Sequence, residues 1–258
     1  MAPHLIAALA LTGLVGASLG LLGAGGSIIM LPVLVYVMGV EAHAAVPLSL
    51  AIVGITSLVA VAVHAKGREI RWRTALLVGG GALGGTYLGS RLTVLVPGSV
   101  LLLSFGVLLV VVGVRMWRSR QGNDDVTTTP QRPWLMLVTG SLVGVLTGFL
   151  GVGGGFLIVP GLVKVGGLGM RQAIRTSLVV IAMSSVAGLV AHVAHGNGPT
   201  VRIVVPLTMA ALLGMAAGSA TARFVSAEQL RRGFAAFVTS VGSALILVNT
   251  PTVIRILG

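Results

Sequence analysis

Apolar residues run along this chain in long blocks separated by short polar or glycine-rich breaks. The blocks cover approximately residues 5–22, 27–38, 44–64, 74–93, 98–116, 134–150, 155–166, 172–194, 201–223 and 230–249. Several reach or exceed the ~18 residues that mark a bilayer-spanning candidate. The pattern predicts an all-α, polytopic membrane protein. The one long polar stretch, Arg115 to Pro133, holds Arg118, Arg120, Gln121, Asn123, Asp124, Asp125 and three threonines. It cuts the chain nearly in half and reads as a linker.

The two halves resemble each other. A shift of 128 residues lays Gly16, Gly20, Gly23, Gly25, Gly26 and Pro32 onto Gly144, Gly148, Gly151, Gly153, Gly154 and Pro160. The same shift pairs Gly39, Ala45, Ser49, Leu50, Ser57 and His64 with Gly167, Ala173, Ser177, Leu178, Ser185 and His192. Between Gly13 and His64 there are 18 identities in 52 gapless positions. Apolar composition alone gives chance matches among Leu, Val and Ala, but not matched glycines, prolines and histidines, so the chain reads as a duplication. Residues 1–116 form the N-terminal transmembrane repeat, 117–133 a cytoplasmic linker, and 134–258 the C-terminal repeat, together one membrane domain.

Basic residues orient the repeats, because they favour the cytoplasmic side of a membrane. Lys66, Arg68, Arg71 and Arg73 form one group, and Arg115, Arg118, Arg120 and Arg132 a second. Lys164, Arg171 and Arg175 form a third, and Arg223, Arg231 and Arg232 a fourth. These are 14 of the 17 basic residues, leaving Arg91, Arg202 and Arg255. Placing all four groups inside makes 44–64 run inward and its counterpart 172–194 run outward. Residues 134–166 then enter and leave on the cytoplasmic side, and 5–38 on the outer side. Each half becomes a helical hairpin plus three transmembrane helices, the halves are inverted repeats, and both termini lie outside.

Each hairpin is expected to break at a glycine cluster, Gly23-Ala-Gly-Gly-Ser27 or Gly151-Val-Gly-Gly-Gly155. Glycine costs a helix interior about 1 kcal/mol relative to alanine. The pieces that follow have about 12 residues, roughly 18 Å, short of a ~30 Å hydrocarbon core. They read as half-helices starting within the membrane, where a broken backbone must face protein or a watery cavity. A half-helix N-terminus carries free amide donors and partial positive charge suited to an anion. Inverted repeats would bring two such ends near one midplane site. Gly25, Gly26, Ser27, Gly153, Gly154 and Gly155 are therefore candidate substrate-binding residues. The glycine stripes Gly81/Gly85/Gly89, Gly140/Gly144/Gly148 and Gly214/Gly218 read instead as close helix packing.

Hydroxyls on the long spans come next: Ser49, Thr56 and Ser57 in the first half, Thr176, Ser177, Ser184 and Ser185 in the second. Each can donate to an oxyanion or bond its own helix. Ser49, Thr176 and Ser177 join the candidate site. Arg175, at the inner start of its span, could attract an anion or face headgroups. Glu41 and His43 precede span 44–64 near the outer side. His64 and His192 fall at span ends, fitting an interfacial place or a titrating proton relay. No aspartate lies in any span, which leaves carboxylate-based cation coupling little to work with.

Composition agrees with this picture. The 258 residues are 55% hydrophobic and 9% charged, against about 25% charged for a soluble domain. The net charge of +12 could suggest nucleic acid, but the basic residues sit in short inter-helix segments and form no recognition face, so no nucleic-acid partner is expected. The chain has no cysteine, which removes disulfides and thiolate metal sites. No cofactor or metal is expected. The N-terminus lacks a positive n-region, so residues 5–22 read as a retained segment, not a signal peptide.

Gly20-Leu-Leu-Gly-Ala-Gly-Gly-Ser27 with Pro32, repeated as Gly148-Phe-Leu-Gly-Val-Gly-Gly-Gly155 with Pro160, resembles the TauE/SafE family, also called the toluene sulfonate uptake permeases or sulfite exporters. Thr176-Ser-Leu178 and Gly84-Gly-Thr-Tyr-Leu-Gly-Ser-Arg91 add to the resemblance, which covers essentially the whole chain. In the first half Pro47-Leu-Ser49 stands where Thr-Ser is expected. The resemblance implies a bacterial inner-membrane permease for sulfur-containing anions such as sulfite or sulfonates, coupled to a proton or sodium gradient. An anion channel shares much of this architecture. An enzyme would need a nucleophile and base, a metal cluster or paired acids, and five acidic residues without cysteine offer little toward one.

Overall fold

The long apolar blocks fold as helices because a chain in hydrocarbon must satisfy every backbone N–H and C=O internally. The computed structural model describes residues 2–22, 25–64, 70–93, 95–118, 133–150, 155–194, 198–222, 224 and 226–257. Among these lie ten α-helices and no strand. In the first half they are α1 (Ala2–Leu22), α2 (Gly25–Pro32), α3 (Ala42–His64), α4 (Trp72–Thr93) and α5 (Gly98–Arg118). In the second they are α6 (Pro133–Leu150), α7 (Gly155–Lys164), α8 (Met170–Ala194), α9 (Val201–Ala222) and α10 (Ala227–Leu257). A shift of 128 residues carries the first five onto the second five. Six helices, α3, α5, α6, α8, α9 and α10, contain stretches long and apolar enough to cross a membrane. Residues 119–132, most of the expected linker, lie outside the described residues.

The short helices end alike in both halves. Gly39 and Gly167, equivalent under the shift, are the glycines with positive φ among the described residues, at 68° and 59°. That left-handed conformation suits glycine because it has no Cβ to clash. It turns the chain so that Val40 N–H reaches the Leu34 carbonyl at 3.0 Å and Leu168 N–H reaches the Leu162 carbonyl at 3.3 Å. The halves differ just before this point. After Pro32 the chain widens into a π-helical turn, Val33–Val37, whereas α7 continues past Pro160 as α-helix.

Packing places α3 and α8 at the centre. Their membrane-crossing stretches are 67% and 61% buried, against 28% to 39% for the other four. Large apolar side chains on the outer helices, among them Leu14, Leu88, Val111, Leu142, Leu213 and Leu247, point away from the bundle, as lipid-facing residues do.

Small residues set the relative direction of the helices. Gly81, Gly85 and Gly89 meet the α6 backbone at Leu137, Ser141 and Val145 in turn, so α4 and α6 run parallel. A methyl on any of the three would overlap a backbone carbonyl. Gly16 and Gly20 meet Ala211 and Met215 in the same way, so α1 and α9 are also parallel. The glycine stripes thus act as backbone-to-backbone packing surfaces. The central pair runs oppositely: Gly54 meets Ser185, and Leu50 meets Gly188. Gly106 meets Gly242 and Gly113 meets Thr239, so α5 and α10 are antiparallel as well. Exchanging each helix for its counterpart turns the α4–α6 pair into α9–α1 and leaves α3–α8 and α5–α10 as themselves.

Candidate functional site

The hydroxyls of the two central helices divide by what they bond. Ser49 donates to the Val46 carbonyl at 2.8 Å, and its counterpart Ser177 donates to Ile174 at 2.7 Å. Thr56 donates to Ile52 at 2.7 Å and its counterpart Ser184 to Ile181 at 3.1 Å. These four bonds stay within their own helices, the ordinary habit of serine and threonine in apolar helices. Thr176 accepts from the Arg71 backbone N–H at 3.2 Å, which ties the start of α4 to α8. Ser57 and Ser185 differ: both are buried, and their hydroxyls have no hydrogen-bond partner among the described residues. An unsatisfied buried hydroxyl costs about 1–3 kcal/mol.

The candidate site residues fall into two sets. In one small buried cluster Leu19 of α1 packs with Ala60 of α3, Leu178 of α8 and Met215 of α9. The end of α1 therefore lies beside the first turns of α8, where Arg175, Thr176 and Ser177 sit. At the other end of α8, Gly188 meets Leu50 and Thr86, and Gly148 of α6 meets Thr86 and Ser90. The Thr93 hydroxyl lies 3.0 and 2.9 Å from the Gly148 and Phe149 carbonyls, capping α6 level with the end of α4. The end of α6 is thus level with Ser49. Ten residues of α8, about 15 Å, separate the two contact points.

The short helices α2 and α7 touch each other, while the long arms of the hairpins stop at different levels. These arms, α1 and α6, end toward opposite ends of the α3–α8 pair. The reason is length: α1 and α6 have 21 and 18 residues, about 31 and 27 Å, enough to traverse most of the core before the chain turns back. Gly161 of α7 comes against Thr139, so α7 does return along α6. Gly25, Gly26, Ser27 and Gly155 lie in the first turns of α2 and α7, while Gly153 and Gly154 fall outside the described residues. Gly25–Ser27 follow directly on the α1 end that lies beside Arg175, Thr176 and Ser177. Gly155 follows the α6 end that lies level with Ser49.

Charge follows the same axis. Arg71, Arg73, Arg115, Arg118, Arg171, Arg175 and Arg232 gather at the end where α4 and α8 begin and α5 finishes. Arg91 and Arg202 lie at the opposite end. There Arg91 bonds the Tyr87 hydroxyl at 2.8 Å and stacks over its ring. His43 also belongs to this end, 3.1 Å from the Val96 carbonyl and 3.4 Å from Glu41. His192 is buried near the end of α8. One polar link has no signal in the sequence: Asn249 of α10 donates to the Tyr36 hydroxyl at 2.6 Å and to the Leu245 carbonyl at 2.8 Å. Those two side chains are 213 residues apart, beyond any local motif.

Comparison with known proteins gives this arrangement a context. A "Probable membrane transporter protein" of Xylella fastidiosa (strain Temecula1) is 38% identical over 173 residues, 66% of either chain. A protein of the same description in Haemophilus influenzae is 26% identical over 253 residues, 91% of this chain and 95% of its own length. The Bacillus subtilis "Probable membrane transporter protein YdhB" is 28% identical over 190 residues, covering 71% of this chain and 76% of its own. No solved structure matches. The family model described as "Sulfite exporter TauE/SafE" matches residues 8–245, a span that takes in both glycine clusters, both central helices and both basic ends. The membrane-spanning helices, the duplicated glycine motif and these relatives agree that this chain is a multi-pass membrane protein belonging to the TauE/SafE family of membrane transporters.

Proposed function

We propose that the chain is a secondary transporter for a small sulfur-containing anion, such as sulfite or a sulfonate, working by alternating access between its two ends. The observation that carries this reading is the cross-half pairing. The parallel α1–α9 and α4–α6 pairs and the antiparallel α3–α8 and α5–α10 pairs are what inverted repeats produce when a two-fold axis lies in the membrane plane. Such a molecule has two near-equivalent conformations, one open to each side. Each end would offer its own anion-attracting groups, and the two sets differ because Pro47 and Leu48 stand where the second half has Arg175 and Thr176. Gly25, Gly26 and Ser27, with Arg175 and Thr176, would serve one mouth and Gly155 the other, with the Ser49 and Ser177 hydroxyls nearby bonded within their own helices. The half-helix amides would hold an oxyanion by hydrogen bonds and dipole at either mouth. The family's description supports the cargo class.

The positive-inside rule favours a cytoplasmic basic end with both termini outside, and the family resemblance implies a bacterial inner membrane. A proton or sodium gradient would drive the cycle. Purified protein in proteoliposomes should accumulate radiolabelled sulfite or taurine above the external concentration when a pH or sodium gradient is imposed. Collapse of the gradient with an ionophore should release the excess. Uptake that only equilibrates, whatever gradient is applied, would make the protein an anion channel instead.

A further inference from the structure

Between the two mouths lies a third polar position. Gly54 of α3 comes against Ser185 of α8, a side-chain carbon on Gly54 falling 3.0 Å from Ser185 Cβ. This contact lies between the Leu50–Gly188 and Ala60–Leu178 contacts that mark the two ends. The antiparallel register puts Ser57, one turn beyond Gly54, opposite residues 181–182, one turn from Ser185. Ser57 and Ser185 are repeat-equivalent, 0% and 1% exposed, and without a hydrogen-bond partner among the described residues. Thr86 of α4, whose methyl meets Gly188 one turn from Ser185, is a third buried hydroxyl in the same condition.

We infer that Ser57 and Ser185, with Thr86 beside them, form a central binding site that donates hydrogen bonds to the transported oxyanion as it passes between the mouths. The hydroxyl protons set these residues apart. Ser49, Thr56, Ser177 and Ser184 direct theirs to carbonyls of their own helices. Ser57 and Ser185 sit on the same two helices and do not, so their O–H groups lack an acceptor at the middle of the bundle. A cation would need only oxygen lone pairs, which every one of these hydroxyls offers. An unmatched donor calls for an acceptor, and an oxyanion brings several. Uncharged donors also hold an anion without a fixed positive charge at mid-membrane, so it can leave toward either end. The inference rests on the anion-transport reading above.

The test compares wild type with Ser57→Ala, Ser185→Ala and the hydroxyl-retaining Ser57→Thr. KM for radiolabelled sulfite is measured in proteoliposomes, and thermal shifts in detergent are measured with sulfite, sulfate, phosphate or sodium chloride. Each alanine variant should raise KM about tenfold, equivalent to about 1.4 kcal/mol, and lose the stabilisation by sulfite. Its ligand-free melting temperature should equal or exceed that of wild type, because a methyl replaces an unsatisfied hydroxyl. Ser57→Thr should keep a KM near the wild-type value. Wild-type KM and wild-type stabilisation in both alanine variants would overturn the site while leaving the transport reading in place. So would a changed sodium dependence with KM for sulfite unaltered, which marks a cation site. If wild type transports no sulfite but an oxyanion stabilises it and not the alanine variants, the site stands and the transport reading falls. If no oxyanion stabilises wild type, both fall.

Discussion

A serine in an apolar helix has two uses for its proton, and neighbouring side chains decide between them. The sequence pairs Ser49 with Ser177 and Ser57 with Ser185 equally well, since both pairs obey the same shift. Only the folded chain separates them, through bonds of 2.8 and 2.7 Å to Val46 and Ile174 in one pair and none in the other. Rotamer choice depends on helix–helix contact, which no local pattern encodes. Gly39 and Gly167 are the opposite case: the same shift matches them, and the folded chain uses both alike, with positive φ. At the glycine clusters, Gly26→Leu or Gly154→Leu should reduce radiolabelled sulfite uptake at least about tenfold, the loss of roughly one charge-assisted hydrogen bond. Membrane insertion, judged by the amount of protein in the membrane fraction, should be retained. Full uptake by either variant would remove the half-helix amides from the mechanism.

At the scale of the helix, block boundaries were readable because hydropathy changes sharply at lipid-spanning segments. The block at 74–93 became α4, Trp72–Thr93, and 172–194 became α8, Met170–Ala194. The depth of the hairpins was not readable. Glycine breaks say where a helix stops but not where its far end lies relative to other helices, and α1 starts at Ala2, a turn earlier than its apolar block suggested. The spacing of Gly81, Gly85 and Gly89 did announce a close contact, and adjacent glycines on α4 now make opposite predictions. A side chain on Gly85 would overlap the Ser141 carbonyl, whereas Gly84 faces open space. Gly85→Leu should destabilise the protein by about 1–3 kcal/mol, seen as a lower melting temperature in detergent. Gly84→Leu should stay within about 0.5 kcal/mol of wild type. Equal effects at the two positions would show that α4 does not meet α6 through this face.

For the molecule as a whole, charge carried the most information. Four basic groups, counted along the sequence, required the two central spans to run in opposite directions, and the Gly54–Ser185 and Leu50–Gly188 contacts have α3 and α8 doing so. Which helices pair across the halves was not legible, because glycine stripes on α1, α4, α6 and α9 are interchangeable as patterns. The orientation has a direct check. Alkaline phosphatase fused after Gly258 should be active in a bacterial host, and green fluorescent protein at the same place should stay dark. A fluorescent fusion would reverse the proposed sidedness.

The pairing of α1 with α9 and of α4 with α6 also constrains how the protein is made. When the first half has left the ribosome, the glycine-lined flanks of α1 and α4 have no mate within that half and meet only lipid. The mate of α4 follows at once as α6, but the mate of α1 arrives only with α9, in the last third of the chain, so the native bundle closes late and around helices already inserted. Nascent chains halted before α9 would be expected to hold α1 at the membrane unclasped, exposed to the quality-control proteases that patrol for orphaned spans.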